Sequence, residues 1–376
     1  MPETSDIPKP NSRAIVITEI VEMGGAERAC LALARWLFDQ HLPVHILTYQ
    51  DRVGLARFAT HPLQVVQLRP RMSAPAKIQA LGRYVKAHPA STKPLMSGYQ
   101  PALHATLAGL RGFHTLMHDT PSLFSDASEA TSARHRLLRA ARDRIVAHGL
   151  RSGGVTIVTS NYLQAECRRA FGIEAAIARM GGLLSAAHAF NPRALSANQL
   201  RMLSVSRIEA NKRLDWIVRA LATLEHSPIP LSTHVDWRLD LAGKGAQLPQ
   251  LQSLAHQLGL AGRIHFHGFV TDEQLQQLYD AAHLFLMPAV QGYGIPAIES
   301  LERGIPVLLH RDSGVSDILL DTPWATVFEG GEPALAPALQ RAIAALREGR
   351  HLHTPRPPIP TEDQWAEQVA NLCHWL

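Results

Sequence analysis

The sequence predicts an α/β protein built from two domains, each with a doubly wound parallel sheet. Short apolar segments typical of buried strands alternate with longer segments of helical period along most of the chain, and this alternation favours parallel sheets covered by helices. The 376 residues are long for one domain and sufficient for two, each with its own core. Residues 185–200 are rich in Ala, Ser and Asn, with little periodicity. We therefore expect domains over residues 1–184 and 201–355, a linker over 185–200, and a final helical segment over 356–376.

Composition limits the class of protein. Apolar residues make up 46% and charged residues 18% of the chain, as in ordinary globular proteins. The net charge of +5 is a mild basic excess, so no nucleic-acid partner is expected. It suits nucleotide phosphates or an anionic membrane surface, and equally a protein with no anionic partner surface.

Cysteine usage and hydropathy indicate a cytoplasmic location. Cys30, Cys167 and Cys373 are widely spaced and form no metal pattern, so free buried thiols are expected. The polar, proline-rich residues 1–12 do not resemble a signal peptide, and no apolar run reaches the roughly 18 residues of a spanning helix. The protein is expected in the cytoplasm, or at most resting on the inner face of the membrane.

The first domain opens with strand, glycine loop, helix and strand. Residues 14–18 and 44–48 are typical of strands, Gly24 and Gly25 follow the first, and residues 26–38 have helical period. Further strands are predicted at 65–68, 94–97, 115–118 and 155–159, with a helix capped by Ser73 after the first of these.

His118 and Asp119 follow directly on a predicted strand. Open α/β sheets bind ligands at the carboxyl ends of their strands, so this polar pair lies where a site is expected.

Residues 134–151 form a basic helical segment with six arginines and one acid, Asp143. Leu137, Leu138 and Ile145 fall on one face, whereas the arginines are spread over the remainder. Two readings stay open: contact with anionic lipid or a diphosphate-linked acceptor, or a solvated helix of the fold.

The second domain repeats the pattern of strands that end in polar or glycine loops. Residues 202–205 are followed by Arg207 and Lys212, residues 239–245 form a strand with a Gly-x-Gly loop, and Phe269 ends a third strand. Thr271 and Gln274 have the spacing of a capping box that begins the next helix.

Residues 284–309 form the stretch with the clearest functional pattern. A buried strand over 284–287 leads into a loop, a helix beginning near Pro296, and a strand over 305–309. Backbone N–H groups at such a helix start form an anion site, and Gly292 and Gly294 allow close approach of a ligand. Gln291 and Glu299, eight residues apart, could face the same ligand.

These segments resemble the retaining GT-B glycosyltransferases of family 4 (glycosyl transferases group 1). The signature Glu-x7-Glu with Gly-Phe-Gly-x-Pro, then Gly-x-Pro-Val, corresponds here to residues 291–299 and 304–307. The segment Ser206–Arg207-x4-Lys212, the Gly-x-Gly loop and the double glycine after the first strand follow in family order. The resemblance implies two Rossmann-like domains facing across a cleft, and a final helix that crosses back to the first domain.

The resemblance also implies roles for individual residues. Arg207 and Lys212 would neutralise the leaving diphosphate, and His118 would contact the donor sugar as the third catalytic-site residue. The implied donor-binding residues are Gly24, Gly25, Phe269, Gln291, Gly292, Tyr293, Gly294 and Glu299, with Glu299 on the ribose and Gln291 on the sugar. No metal or other cofactor is implied.

Three departures from the family pattern weaken parts of this interpretation. Gln291 replaces the first acid, Arg213 stands where glycine is usual, and residues 180–183 replace an Asn-Gly-Val-Asp turn. We expect transfer of a sugar from a GDP- or UDP-linked donor to a glycan or lipid-linked acceptor, in polysaccharide or lipopolysaccharide synthesis. The alternatives are a catalytically silent nucleotide-binding partner and a sugar-nucleotide epimerase. The base, sugar, acceptor, linkage and oligomeric state stay open.

Overall fold

The computed structural model describes residues 11–69, 71, 73–89, 92–118, 133–182, 190–195, 199–233, 235–357 and 359–376, with residues 133–136 described by their backbone alone. The chain divides into two units. The first comprises Met1–Leu183 and Pro360–Leu376, and the second comprises Leu184–Ile359. Most of the expected linker lies outside the described residues.

The first unit is a parallel sheet flanked by helices. Its strands are β1 (Arg13–Val16), β2 (Glu19–Ile20), β3 (Val44–Thr48), β4 (Gln50–Asp51), β5 (Gln64–Gln67), β6 (Leu95–Ser97), β7 (His114–Met117), β8 (Thr156–Val158) and β9 (Ala176–Ile177). Its helices are α1 (Gly25–Asp39), α2 (Ala74–Ala87), α3 (Tyr99–Leu107), α4 (Ala133–Leu150) and α5 (Asn161–Phe171). A 3-10 turn spans Leu55–Phe58.

The main sheet of the first unit has the order β5-β3-β1-β6-β7-β8-β9, with every pairing parallel. Strands β6 and β7 are buried along their whole length, as expected where helices cover both faces. The order reverses between β1 and β6, so the crevice at their carboxyl ends is the position for a ligand. The small parallel pair β2–β4 was not predicted.

The second unit is a six-stranded parallel sheet with the order β12-β11-β10-β13-β14-β15. Its strands are β10 (Gln199–Val205), β11 (Asp236–Ala242), β12 (Ile264–Gly268), β13 (Leu284–Met287), β14 (Val307–His310) and β15 (Ala325–Phe328). Its helices are α6 (Leu214–Glu225), α7 (Leu248–Gln257), α8 (Asp272–Ala281), α9 (Ile295–Glu302) and α10 (Leu335–Glu348). Its 3-10 turns are Ala210–Lys212, Leu231–Thr233, Ser316–Ile318, Glu332–Ala334 and Arg350–His353. This strand order is that of the Rossmann fold.

The tail of the chain belongs to the first unit. Helix α11 (Glu362–Leu372) packs on α1 and buries Trp365 and Val369. Trp375 anchors the last residues, because its indole N–H donates to the carbonyl of Lys93 at 3.1 Å. The tail thereby extends the core of the first unit.

The helix ends show which local predictions were accurate. Thr271 caps α8, with its hydroxyl accepting from the N–H of Gln274, as its spacing predicted. Ser160 likewise caps α5, accepting from the N–H of Leu163. Ser73 occupies the capping position of α2, but its side chain makes no capping hydrogen bond, so that prediction was wrong in detail.

Two buried histidines make the first unit sensitive to acid. The ring of His45 lies between the hydroxyls of Ser12 and Tyr84, at 2.9 and 3.2 Å, and burial lowers its pKa to about 4. His114 accepts from the N–H of Val155, and burial lowers its pKa to about 4 as well. Both rings are therefore neutral in the folded protein near pH 7.

We expect the free energy of unfolding to fall as the pH drops from 6.5 to 4. The unfolded state protonates each ring near pH 6.5 but the folded state only near pH 4, so acid favours unfolding in that window, by about 3 kcal/mol per histidine. Urea titrations at pH 7, 5.5 and 4 measure the change. The H45Q variant should lose its share of the pH dependence, since carboxylates contribute equally to both proteins. An identical pH dependence in H45Q would contradict the assignment.

Candidate functional site

The second sheet has its topological switch point between β10 and β13, which are adjacent and parallel. The connection after β10 contains Arg207 and Lys212, and the loop after β13 contains Gln291 and Gly294. The carboxyl ends of adjacent parallel strands lie at one edge of the sheet, so these loops meet at the place where doubly wound folds bind ligands.

Lys212 and Gln291 are in direct contact at this edge. The Lys212 ammonium donates to Oε1 of Gln291 at 2.8 Å, and the Gln291 amide Nε2 lies 2.6 Å from Sδ of Met287. Lys212 ends the 3-10 turn Ala210–Lys212 and is half-buried, whereas Arg207 is exposed. The structure therefore brings one cation against the glutamine and leaves a second cation on the same connection in solvent.

The loop after β13 is fixed on both sides. The N–H groups of Gly314 and Val315 donate to the carbonyls of Gln291 and Tyr293, at 3.0 and 3.2 Å. Gly294 has a φ of +113°, and a Cβ there would lie 2.4 Å from the methyl carbon of a neighbouring methionine. Glycine is therefore required at this position. Gly292 and the side chain of Tyr293 are buried beside it.

Glu299 lies one turn into α9 and is buried, with 5% of its surface exposed. Its Oε2 accepts from the hydroxyl of Tyr279 at 2.8 Å. Arg303 covers the Tyr279 ring, 4.5 Å from its centroid, and donates to the Glu299 carbonyl and to Gln276. Burial lowers the pKa of Arg303, against the opposing effect of Tyr279 and Glu299. Sequence reasoning missed Tyr279 and Arg303 because nothing in their spacing separates them from ordinary helix residues.

The Gly-x-Gly loop after β11 packs directly on the loop after β10. A Cβ on Gly243 would lie 1.8 Å from the carbonyl oxygen of Ser206, and one on Gly245 would lie 2.1 Å from that of Ile208. Backbone hydrogen bonds join the loops, with the Ile208 N–H donating to the Lys244 carbonyl at 2.7 Å. The two glycines therefore fix the loop from which Arg207 projects.

Phe269 follows β12 at the same edge of the sheet. Its ring is 72% exposed, and the Lys244 ammonium lies 4.7 Å from its centroid. Large exposed aromatic side chains are suited to stacking on planar ligands.

Arg213 has the left-handed conformation, with φ +54° and ψ +34°. This explains why glycine suits the position, since the left-handed region strains a residue with a Cβ. The guanidinium lies 4.3 Å from the Trp216 ring centroid, a contact that offsets part of this strain. The departure from glycine is therefore accommodated without disrupting the loop.

In the first unit, His118 directly follows β7 and contacts Ser97 at the end of β6. Its Nε2 lies 2.9 Å from the Ser97 hydroxyl, and the Cys30 thiol donates to that hydroxyl at 3.3 Å. Burial raises the pKa of Cys30 to about 12, so the group is a thiol and a donor. Asp119, its predicted neighbour, lies outside the described residues.

Gly24 and Gly25 stand at the start of α1. The N–H of Gly24 donates to the carboxylate of Glu27 at 3.0 Å, so an acid already occupies this helix end. A Cβ on Gly24 would lie 2.9 Å from that carboxylate oxygen. This helix start is thus less open to a phosphate than the sequence suggested.

Three features of the described residues complete the picture. Cys30, Cys167 and Cys373 are buried free thiols, as predicted. No group of three or more His, Cys, Asp or Glu side chains within the described ranges has the arrangement of a metal site. No helix in the same part of the chain is long and apolar enough to cross a bilayer.

The two Rossmann-like units, with the switch-point site of the second, define a protein of the GT-B class. Residues 188–351 match the family model "Glycosyl transferases group 1", and the chain belongs to this group of GT-B proteins. The predicted fold class and the resemblance are thereby confirmed.

Several curated proteins are similar in sequence. A GDP-mannose-dependent alpha-(1-6)-phosphatidylinositol monomannoside mannosyltransferase of Mycolicibacterium smegmatis is 27% identical over 320 residues, or 78% of each chain. An uncharacterized glycosyltransferase of Methanocaldococcus jannaschii is 31% identical over 119 residues, which span 31% of this chain and 29% of that protein. O-antigen chain mannosyltransferase B of Escherichia coli is 28% identical over 32% of this chain and 30% of its own length.

Solved structures share the fold over nearly the whole chain. WaaG, a glycosyltransferase involved in lipopolysaccharide biosynthesis, has a TM-score of 0.68 at 18% identity, covering 96% of this chain and 94% of its own. Anabaena HepE in complex with UDP has a TM-score of 0.68 at 16% identity, covering 97% and 100%.

Proposed function

We propose that the protein transfers a hexose from a GDP- or UDP-linked donor to a glycan or lipid-linked acceptor, with retention at the anomeric carbon. The observation that supports this most is the contact of Lys212 with Gln291 at the switch point, on the connection that also contains Arg207. Similarity to the mycobacterial and O-antigen mannosyltransferases supports the substrate class and a role in cell-surface polysaccharide or lipopolysaccharide synthesis.

The reaction breaks the bond between the anomeric carbon and the diphosphate oxygen. The acceptor hydroxyl forms the new bond and loses its proton, and the nucleoside diphosphate leaves with an additional negative charge. Arg207 and Lys212 stabilise this charge without a metal ion, together with backbone N–H groups at Gly292–Gly294. Lys212 suits this role because its ammonium is already held in place by a neutral acceptor.

Donor recognition is assigned to the remaining side chains of the same edge. Glu299 accepts hydrogen bonds from the ribose hydroxyls, and Tyr279 orients its carboxylate for this. The Gln291 amide binds sugar hydroxyls, as both donor and acceptor. Phe269 and its strand end contact the base, which its exposed ring supports.

The first unit is assigned to the sugar and the acceptor. His118, oriented by Ser97, contacts the donor sugar, and Gly24 and Gly25 border its phosphates. The exposed Leu137 and Leu138 of α4, 72% and 52% exposed among arginines, favour peripheral contact with an anionic membrane. Sedimentation with phosphatidylglycerol vesicles tests this contact, and equal binding of an L137E/L138E variant would exclude it.

The first experiment is a thermal-shift panel with UDP, GDP, ADP and TDP. A nucleotide at 100 times its Kd adds about 2.7 kcal/mol to the stability of the folded protein, which such an assay resolves. We expect a shift with UDP or GDP that is lost in Lys212→Ala and retained in Lys86→Ala, a matched loss of an exposed lysine in the first unit.

The other outcomes separate the alternatives. No shift with any nucleotide in a folded sample contradicts donor binding and favours a silent partner in glycan assembly. Conversion of a bound nucleotide sugar with no acceptor present favours an epimerase.

A further inference from the structure

Three arginines lie side by side at the amino edge of the second sheet. Arg201 of β10 pairs in register with Arg238 of β11. The next pair, Leu239 with Ile264, places Arg238 beside Arg263, and the Leu239 N–H donates to the Arg263 carbonyl. Adjacent strands are about 4.8 Å apart, so this arginine row (Arg201, Arg238, Arg263) spans three strands.

The arginine row lines one cavity of about 80 Å³, together with Asp236 and Trp237. Side chains alternate along a strand, and the neighbours of Arg201 and Arg238 point into the core. These neighbours are Leu200, Met202, Trp237 and Leu239. Arg201 and Arg238 therefore point to the other face of the sheet, where they stand next to each other.

The charges of the arginine row are only partly compensated. Arg263 donates to the Asp236 carboxylate and to the Trp237 carbonyl, both at 3.0 Å. Within the described ranges, the side chains of Arg201 and Arg238 have no hydrogen bond or ion pair with protein. Like charges on neighbouring strands destabilise a sheet, so two of these cations lack the anion that would offset their repulsion.

We propose that the arginine row binds the phosphate or diphosphate group of a small soluble ligand, at a second site separate from the donor site. Guanidinium groups bind phosphate through paired hydrogen bonds, and three of them match the charge of a diphosphate. The cavity is concave and its one apolar side chain, Trp237, is buried, so no apolar group is available to enter a membrane. From Arg201 to Arg207 the strand runs six residues, about 20 Å, so one ligand of diphosphate size cannot occupy both sites.

Pyrophosphate titration by calorimetry at low salt tests the site. The R207A/K212A variant removes the proposed donor clamp, and we expect it to retain one pyrophosphate site. Adding R201Q and R238Q to that variant should weaken binding at least tenfold. Adding R341Q and R347Q instead removes the same charge from exposed positions of α10 and should leave binding unchanged. As a second readout, R238Q alone should raise Tm at low salt, with the difference shrinking as salt is added.

Several results would overturn the site. These are the absence of binding to a folded R207A/K212A variant, binding unaffected by R201Q and R238Q, or equal weakening by R341Q and R347Q. Binding to phosphatidylglycerol vesicles that depends on Arg201 and Arg238, without binding of pyrophosphate, would equally contradict a soluble ligand.

Discussion

Replacing Lys212 by alanine is expected to lower the rate of sugar transfer by about 10²–10³-fold, the usual effect of removing one fixed donor to a developing anion. The ammonium lies at the switch point, fixed by Gln291 at 2.8 Å, so it does not have to be reoriented during the reaction. Its removal should leave the fold intact, because the side chain is half-buried and its partner is a neutral amide. Initial rates at saturating donor, with Tm measured in parallel, check both statements.

The controls separate charge from geometry. Lys212→Arg keeps the charge but changes its position, so it should recover only part of the rate. Lys86→Ala removes an exposed lysine of the first unit and should leave the rate unchanged. Normal turnover in Lys212→Ala would exclude the diphosphate clamp.

Glutamine at position 291 has a physical consequence in this arrangement. A glutamate would pair with the Lys212 ammonium and cancel part of its charge, whereas the amide orients the ammonium without neutralising it. The full positive charge then remains for the diphosphate. Gln291 is thus compatible with an active site, with a donor-sugar contact that lacks charge assistance.

Features specified by short sequence segments could be predicted from the sequence. The strand, loop and helix over residues 284–302 follow from an apolar run, two glycines and a proline at the helix start. The cap at Thr271 depends on a residue only three positions away. In such cases the interacting groups are close in sequence, and spacing alone identifies them.

Contacts between distant segments could not be predicted. Lys212 and Gln291 are 79 residues apart, and Tyr279 and Glu299 are 20 apart on different helices. Only the strand order brings these segments together, and one sequence does not reveal it. The arginine row was missed for the same reason, since Arg201, Arg238 and Arg263 become neighbours only through sheet pairing.

Replacing Glu299 by alanine is expected to raise the KM for the donor by about a hundredfold and to lower stability. The first effect follows from losing a charged acceptor of ribose hydroxyls, where each such bond contributes about 1.5–3 kcal/mol. The second follows because the Tyr279 hydroxyl, buried and donating to Glu299, would lose its partner at a cost of about 1–3 kcal/mol. Donor titrations and urea unfolding measure the two effects separately.

Two further substitutions distinguish binding from packing at Glu299. Glu299→Gln retains an acceptor for Tyr279, so stability should recover while donor affinity stays reduced by about tenfold, the cost of losing charge assistance. Tyr279→Phe leaves the carboxylate in place but removes its orienting partner, so a smaller rise in KM is expected. Donor affinity unchanged in Glu299→Gln and Glu299→Ala alike would restrict Glu299 to a structural role, with α9 joined to α8 through Tyr279 and Arg303.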